Sequence, residues 1–349
     1  IFTDEFCKKY KLIPRNKAFQ YIHQPPSQRH IEAAQYRFKF EELFFLQFPF
    51  IRKKMIRKEV NHGIKFTTNN ISYTHFINQQ LAFKLTNAQE KVLEEISSDL
   101  YSGKQMNRLL QGDVGSGKTI VAFLTVLRAI DNNYQASLMA PTEILAIQHY
   151  IGLKELADKI NIQIGLLTGS TPKKERIELH KKLLSGDIKL LIGTHALIED
   201  TVAFNNLGLV IIDEQHRFGV AQRAKLQSKG FQNPHVLIMT ATPIPRTLAM
   251  SMYGDLDYSV IDEMPAGRKP IKTVHRFGFA REKVLNFVKE QIIKGRQAYI
   301  VYPLIEESEK LHYKDLNNGY DELLLSFPRP TYQVEMLHGK MKPSDKEAK

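Results

Sequence analysis

Apolar positions along this chain follow one period before Ala82 and another after it. Across residues 27–59, Tyr36, Phe40, Leu43, Phe44 and Gln47 recur near 3.6-residue spacing, the signature of one long helix. Pro49 should end or kink that helix, because its ring has no N–H to donate and crowds the preceding turn. The aromatic stripe is read as a packing face before it is read as a surface for stacking bases. Beyond Ala82, helical runs alternate with short apolar ones. NAQEKVLEEISSDL and GKTIVAFLTVLRAI have helical spacing, whereas RLLQGD, ASLMAPT, KLLIGT, LVIIDE and VLIMTAT read as strands that run into loops. Helices alternating with strands at this interval predict an α/β fold with a doubly wound parallel sheet. The pattern starts again near Lys272, with HRFGFAREKVLNFVKEQIIKG as strand then helix and QAYIVYPLI as strand. MPAGRKPIK, rich in Pro, Gly and charge, is the expected link between the two patterns. The predicted organisation is a basic, largely helical region over 1–75, an α/β domain over 76–262, and part of a second over 263–349.

Two of the expected strand ends carry chemistry. Gly112–Thr119, GDVGSGKT, fits G-x-x-x-x-G-K-[ST] and stands between a strand and a helix. Gly112, Gly115 and Gly117 would let the backbone around Asp113, Val114 and Ser116 curl about phosphates at the positive end of that helix. Lys118 is the candidate for the β- and γ-phosphates of ATP, and Thr119 for Mg2+. The run LVIIDE brings Asp213 and Glu214 to the tip of a buried strand, where ligands of open α/β sheets bind. Asp213 is suited to hold Mg2+ through water, and Glu214 to orient and deprotonate an attacking water. Gln215 and His216 follow at once, and a polar relay behind the base implies that hydrolysis is coupled to something else. The competing reading makes His216 a packing residue under the Arg217–Phe218 turn.

Charge adds a partner. The 349 residues carry a formal net charge of +12, and residues 1–65 hold 14 Lys/Arg against 6 Asp/Glu. A basic end of this kind, with Arg52, Lys53, Lys54, Arg57 and Lys58 clustered behind Pro49, suits either a polyanion or solvent. One cysteine, Cys7, excludes an internal disulfide framework and a multi-cysteine zinc site, and a reducing cytoplasm is the simplest compartment. No apolar run approaches the roughly 18 residues that span a bilayer, so no membrane association is expected. The first residue is not Met, and the chain is expected to be a piece of a longer one.

The spacing of these elements resembles a known class. Asp213-Glu214-x-His216 matches the second motif of superfamily 2 helicases, and FKLTNAQ (Phe83–Gln89), APTEILAIQH (Ala140–His149), LLTGS (Leu166–Ser170), IGTHALI (Ile192–Ile198) and TATPIPRT (Thr240–Thr247) match others in order. MAPTEILA, IIDEQHRFGVAQR, MTATPIPRTLAMSMYGDL, VIDEMPAGRKPI, YIVYPLIEESE and MLHGKM narrow the resemblance to the RecG family of branch-migrating DNA helicases, over about residues 80–349. The transcription-repair coupling factors share several of these motifs but typically read Asp-Glu-Glu-His where this chain has Asp-Glu-Gln-His. The resemblance implies a RecA-like P-loop motor domain, preceded by a helical linker and followed by part of a second RecA-like domain. It further implies that Gln89, with Phe83, contacts adenine and that Thr240 and Thr242 link the ATP cleft to the DNA track. Thr142, Gly169, Thr194 and His195 would face the DNA backbone, and Arg246 would lie either there or in a structural ion pair. The implied partners are branched DNA, such as forks and Holliday junctions, met by a monomer in the bacterial cytoplasm and nucleoid. The later motifs of a second motor domain do not occur before Lys349, so little ATP turnover is expected of this piece alone. A nucleotide-dependent DNA-binding switch that does not translocate and a protein-remodelling ATPase are the readings from other classes.

Overall fold

The computed structural model describes residues 2–60, 63–67, 70–214, 218, 220–242, 256–265, 271–303, 316–341 and 343–349. Contacts divide the chain into Ile1–Arg268 and Lys269–Lys349. The first unit contains a seven-stranded sheet: β1 (Asn107–Gly112), β2 (Gln135–Met139), β3 (Ile164–Leu167), β4 (Leu190–Gly193), β5 (Leu207–Asp213), β6 (His235–Thr240) and β7 (Asp257–Ile261). Its order is β3-β4-β2-β5-β6-β1-β7, and every pairing is parallel. Such a sheet must be covered on both faces, which is why β2, β4, β5 and β6 are buried at every position. Along β5, alternate side chains divide between two cores. Leu209 and Ile211 join Val92, Phe123 and Leu138 on one face, while Val210 and Ile212 join Leu183, Leu197 and Leu226 on the other.

The helices of this unit are α1 (Asp4–Lys9), α2 (Arg15–His23), α3 (Gln28–Val60), α4 (Ile71–His75), α5 (Asn87–Tyr101), α6 (Lys118–Asp131), α7 (Glu143–Asp158), α8 (Lys173–Leu184) and α9 (Val220–Gln227). Pro49 does not end α3, which runs to Val60 with the proline inside it. Proline removes a single ladder bond, and a helix of 33 residues keeps the rest. The aromatic stripe packs in part: Phe40 and Phe44 meet Phe2 and Phe6 with ring centroids 5.0–6.0 Å apart, whereas Tyr36 and Leu43 are exposed. Beneath them Arg37 is buried and donates to Glu41, to Ile13 O and to Cys7 Sγ, so the lone cysteine serves as a packing and acceptor group. Of the basic cluster after Pro49, only the Arg52 side chain is among those described, and it is exposed.

Residues 63–67 run along the edge where the parallel strands begin. Gly63 N donates to Gly103 O and Phe66 N to Leu100 O. A Cβ on Gly63 would lie 2.3 Å from Gln105 N, so only glycine permits this approach. His235, wholly buried at the start of β6, closes the junction: its Nε2 donates to Ile64 O at 2.7 Å and its Nδ1 accepts from Met106 N at 3.0 Å. Burial pushes its pKa down to about 4, against a smaller upward pull from the Ile64 carbonyl. Because the unfolded chain protonates near pH 6.5 and the folded one near 4, the unfolded state binds more protons between those values. Stability from this group is therefore complete above about pH 6.5 and declines by about 3 kcal/mol as pH falls toward 4. Urea unfolding of wild type and His235→Asn across pH 5–8 should show a steeper loss on acidification in the wild type. Equal slopes would refute the assignment.

Between β1, β7 and α5 lies a second polar junction. Arg108, on β1 and buried, donates through Nε to Asp99 at 2.8 Å, and through Nη1 to Glu95 at 3.1 Å and Ser259 Oγ at 2.7 Å. Strands β3 and β7 are the ones the sequence pattern did not single out. Both are edges: β7 is partly buried and mixes polar residues into its apolar ones, and β3 is a four-residue run that contains a glycine and is too short to stand out.

The second unit holds α10 (Arg281–Ile293), α11 (Leu316–Ser326) and α12 (Pro343–Ala348). The helix expected after Phe279 is present, but the strands expected in HRFGFA and QAYIVYPLI are not formed among the described residues. A strand exists only through ladder bonds to a neighbour, and here Tyr299 and Val301 are 89% and 88% exposed. Their apolar pattern is that of a buried strand, and among the described residues of this unit no strand is formed to cover it. Among the described residues, no helix is long and apolar enough to cross a membrane.

Candidate nucleotide site

Strand β1 ends at Gly112 and α6 begins at Lys118, so the intervening loop lies at the C-terminal edge of the sheet, where the helix N–H groups point outward. Gly115 and Gly117 have φ of 79° and 90°. A Cβ on Gly117 would stand 2.2 Å from Gln89 Nε2, and one on Gly112 would stand 2.4 Å from Ser116 Oγ. Asp113 and Val114 are exposed, Thr119 is half-buried on the first turn of α6, and Ser116 is buried with its hydroxyl unpartnered. Lys118 curls back, its Nζ donating to Gly112 O at 2.8 Å and Asp113 O at 3.0 Å. Burial lowers the Lys118 pKa, opposed by the negative charges of Asp213, Glu214 and Asp113. A strong cation, an unpartnered hydroxyl and a cradle that a Cβ would fill together fit a polyphosphate.

Asp213 and Glu214 stand at the tip of β5, two strands from β1. Asp213 is buried, and its Oδ2 lies 2.8 Å from His149 Nε2 on α7. Glu214 has φ of 50°, a left-handed conformation that strains a side-chain-bearing residue and collects at functional sites. That turn is held by Glu214 N donating to Met239 O at 2.9 Å. It aims the carboxylate across to the end of β6, where Oε1 accepts from Ala241 N at 3.0 Å and Oε2 from Thr240 Oγ1 at 3.3 Å. Thr242 N in turn donates to Thr240 Oγ1 at 3.2 Å. Gln215, His216 and Arg246 lie outside the described residues.

Gln89 is almost fully buried. Its Oε1 accepts from Thr86 N and its Nε2 donates to Ser116 O at 2.8 Å, while Thr86 Oγ1 caps α5 through Gln89 N. The amide expected to contact adenine is thus engaged with the phosphate loop, and Phe83 beside it is half-exposed. Glu263 Oε2 accepts from Ala88 N at the same helix start.

The remaining residues gather at the ends of β2, β3 and β4, which are adjacent in the sheet. Thr142 is exposed and caps α7, Gly169 has open space where a Cβ would project, and His195 is exposed. Thr194 differs: it is buried and its hydroxyl is unpartnered. Two residues here were not anticipated. Glu143 Oε1 accepts from Thr168 Oγ1 at 2.7 Å and from Ser170 Oγ, and His149 reaches Asp213. The signal for His149 was present, since it falls on the stripe of α7 that also contains Ala146, Leu153 and Ala157, all buried.

A phosphate-type loop after β1, and a carboxylate at the tip of β5 bonded directly to the threonine that ends the neighbouring β6, together with the all-parallel sheet define the RecA-like domain of a P-loop helicase. Residues 86–251 match the DEAD/DEAH box helicase family. ATP-dependent DNA helicase RecG of Synechocystis sp. is 46% identical over 344 residues, covering 99% of this chain and 41% of the relative. The Bacillus subtilis protein of the same name is 47% identical over 346 residues, covering 99% and 50%. A solved RecG bound to a three-way DNA junction superposes with a TM-score of 0.77 at 42% identity, covering 93% of this chain and 42% of that one. The chain belongs to the RecG family. It spans about half the length, or less, of the curated relatives it matches.

Proposed function

We propose that this chain is the ATP-binding part of a DNA translocase that remodels branched DNA, such as replication forks and Holliday junctions. The observation that carries the reading is the bond from Thr240 and Ala241 to Glu214, because it joins the carboxylate read as the base to the motif whose Thr240 and Thr242 are read as the link to the DNA track. In this reading residues 1–75 are a linker, 76–262 the first motor domain and 263–349 part of the second. Lys118 leaves the Gly112 and Asp113 carbonyls for the phosphates, and the N–H groups of the 112–119 loop hold their oxygens. Glu214 takes a proton from water as the water oxygen bonds to the γ-phosphorus, while the bond from that phosphorus to the β–γ bridging oxygen breaks and its electron pair leaves with ADP. Thr119 and Asp213 would hold Mg2+, which would supply neutralisation of the phosphate charge. Among the described residues no cluster of three carboxylate, histidine or cysteine side chains could hold a metal, which suits an ion that keeps most of its water and phosphate ligands. Thr142, Gly169 and His195 would grip the DNA backbone without reading sequence, with buried Thr194 supporting them. The complete protein is read as a monomer acting in the bacterial cytoplasm on nucleoid DNA.

ATPase rates of the full-length protein with forked, linear and single-stranded DNA test the proposal. Forked DNA should stimulate most, and a rate indifferent to branched DNA would reject the motor. Lys118→Ala in the same protein should weaken nucleotide binding roughly 10- to 100-fold, the equivalent of one charge-assisted hydrogen bond, without altering urea unfolding. Wild-type turnover in that variant would remove the phosphate site from the argument.

A further inference from the structure

We infer that His149 is a positioning residue for Asp213, fixing the carboxylate through which the chain would hold its metal; this rests on the nucleotide-site reading above. The two groups come from neighbouring strands. Strand β2 lies beside β5, with Met139 opposite Ile212, so the helix that follows β2 passes the tip of β5. His149, on the second turn of that helix, meets Asp213 at 2.8 Å, and the two side chains are 14% and 13% exposed. A carboxylate can only accept, so Nε2 carries the hydrogen; neutral imidazole and imidazolium both donate there, and the role does not depend on which is present. Asp213 keeps its other lone pairs for a metal-bound water. Imidazole is also stiff, with two side-chain torsions, and Ala146, Leu153 and Ala157 bury the same stripe of α7, so the donor has a fixed position in the fold.

The first turn of the same helix gives the contact its meaning. One residue after the cap at Thr142, Glu143 holds the hydroxyls of Thr168 and Ser170, in the loop on the side assigned to DNA. Glu143 and His149 are six residues apart, about 9 Å along the axis. One rigid helix therefore carries a donor for the metal-side carboxylate and an acceptor for the DNA-side loop, and a shift at either contact moves both.

The test is binding of a fluorescent ADP to the full-length protein, with Mg2+ and with EDTA. Groups that orient a metal-holding residue typically contribute 10- to 100-fold to metal affinity. His149→Ala should therefore lose about tenfold of the enhancement that Mg2+ gives, while affinity in EDTA stays within about twofold. His149→Gln, which still offers an N–H at similar reach, should recover most of the loss. If the alanine variant does not fold, His149→Met replaces it, filling the space without a donor. An undiminished Mg2+ enhancement, an equal loss in both buffers, or a glutamine variant no better than alanine would each overturn the assignment. Lys118→Ala separates the two levels of the argument. If that variant binds like wild type, or wild type binds no nucleotide, the nucleotide-site reading falls and His149 with it, whereas a weakened Lys118→Ala beside an unaffected His149→Ala refutes only the latter.

Discussion

Glu214→Gln in the full-length protein should lower DNA-stimulated ATP turnover by about 10²- to 10⁴-fold, the usual worth of a positioned general base, while nucleotide affinity stays within a few-fold of wild type. Glutamine can keep the geometry of the site. Its oxygen can accept from Ala241 N, as Oε1 does, and its NH₂ group can donate to Thr240 Oγ1, which accepts as readily as it donates. What disappears is the ability to take a proton. Thr240→Ala is the converse change, leaving the base and its bonds to Ala241 N and Met239 O and removing only the bond from the Thr240 hydroxyl. Basal turnover should survive in that variant and DNA stimulation should fall. Rapid-quench measurement of bound-ATP hydrolysis separates the cases. A Glu214→Gln variant that hydrolyses bound ATP at the wild-type rate would eliminate Glu214 as base.

Arg108→Ala should destabilise the first unit by about 3 kcal/mol, near the lower end of what breaking a buried ion pair costs. The guanidinium on β1 serves two carboxylates of α5 and a serine hydroxyl of β7, and alanine leaves Glu95 and Asp99 one turn apart on the same face of α5 with no cation between them. Their partial exposure, 34% and 21%, lets water return and keeps the loss from being larger. The triple variant Glu95→Leu, Asp99→Leu, Arg108→Met should recover much of that stability, because apolar packing replaces a salt bridge without the penalty of desolvating charge. Urea unfolding followed by circular dichroism measures both. An Arg108→Ala variant as stable as wild type would show that the cluster contributes nothing net.

The central strands and the phosphate loop were legible in the sequence because each obeys one local rule. Leu209–Ile212 is an uninterrupted β-branched and aliphatic run, and glycines at 112, 115 and 117 mark where the backbone must approach a ligand. The edges were harder. Strand β7 pairs on one side only and mixes Asp257 and Ser259 into its apolar residues, so its identity depends on β1 and not on its own pattern. Pro49 did not end its helix because proline costs one bond, while the many bonds on either side remain. The strands expected around Tyr299 have the right local pattern, but among the described residues of their unit no strand is formed to pair with them. At the site, sequence spacing placed Asp213 and Glu214 side by side but could not show that they turn to different partners. That divergence comes from the left-handed φ at Glu214, which no residue type announces, and from His149, supplied by a helix whose proximity is a matter of topology.

Strand β6 joins two places treated separately so far. His235 at its start fastens the segment 63–67 that leads in from α3, and Thr240 at its end grips Glu214. Five peptide steps separate them, about 16 Å of extended chain, held on one side by β5 and on the other by β1. In engineering terms this is a tie rod, stiff along its length because extended backbone has almost no slack to give. Displacement produced where γ-phosphate is cleaved would reach the root of the long amino-terminal helix with little loss, and strain on that helix would return to the base by the same route. A load pulling on whatever α3 supports should therefore slow hydrolysis, and slow it less when the fastening at His235 is cut.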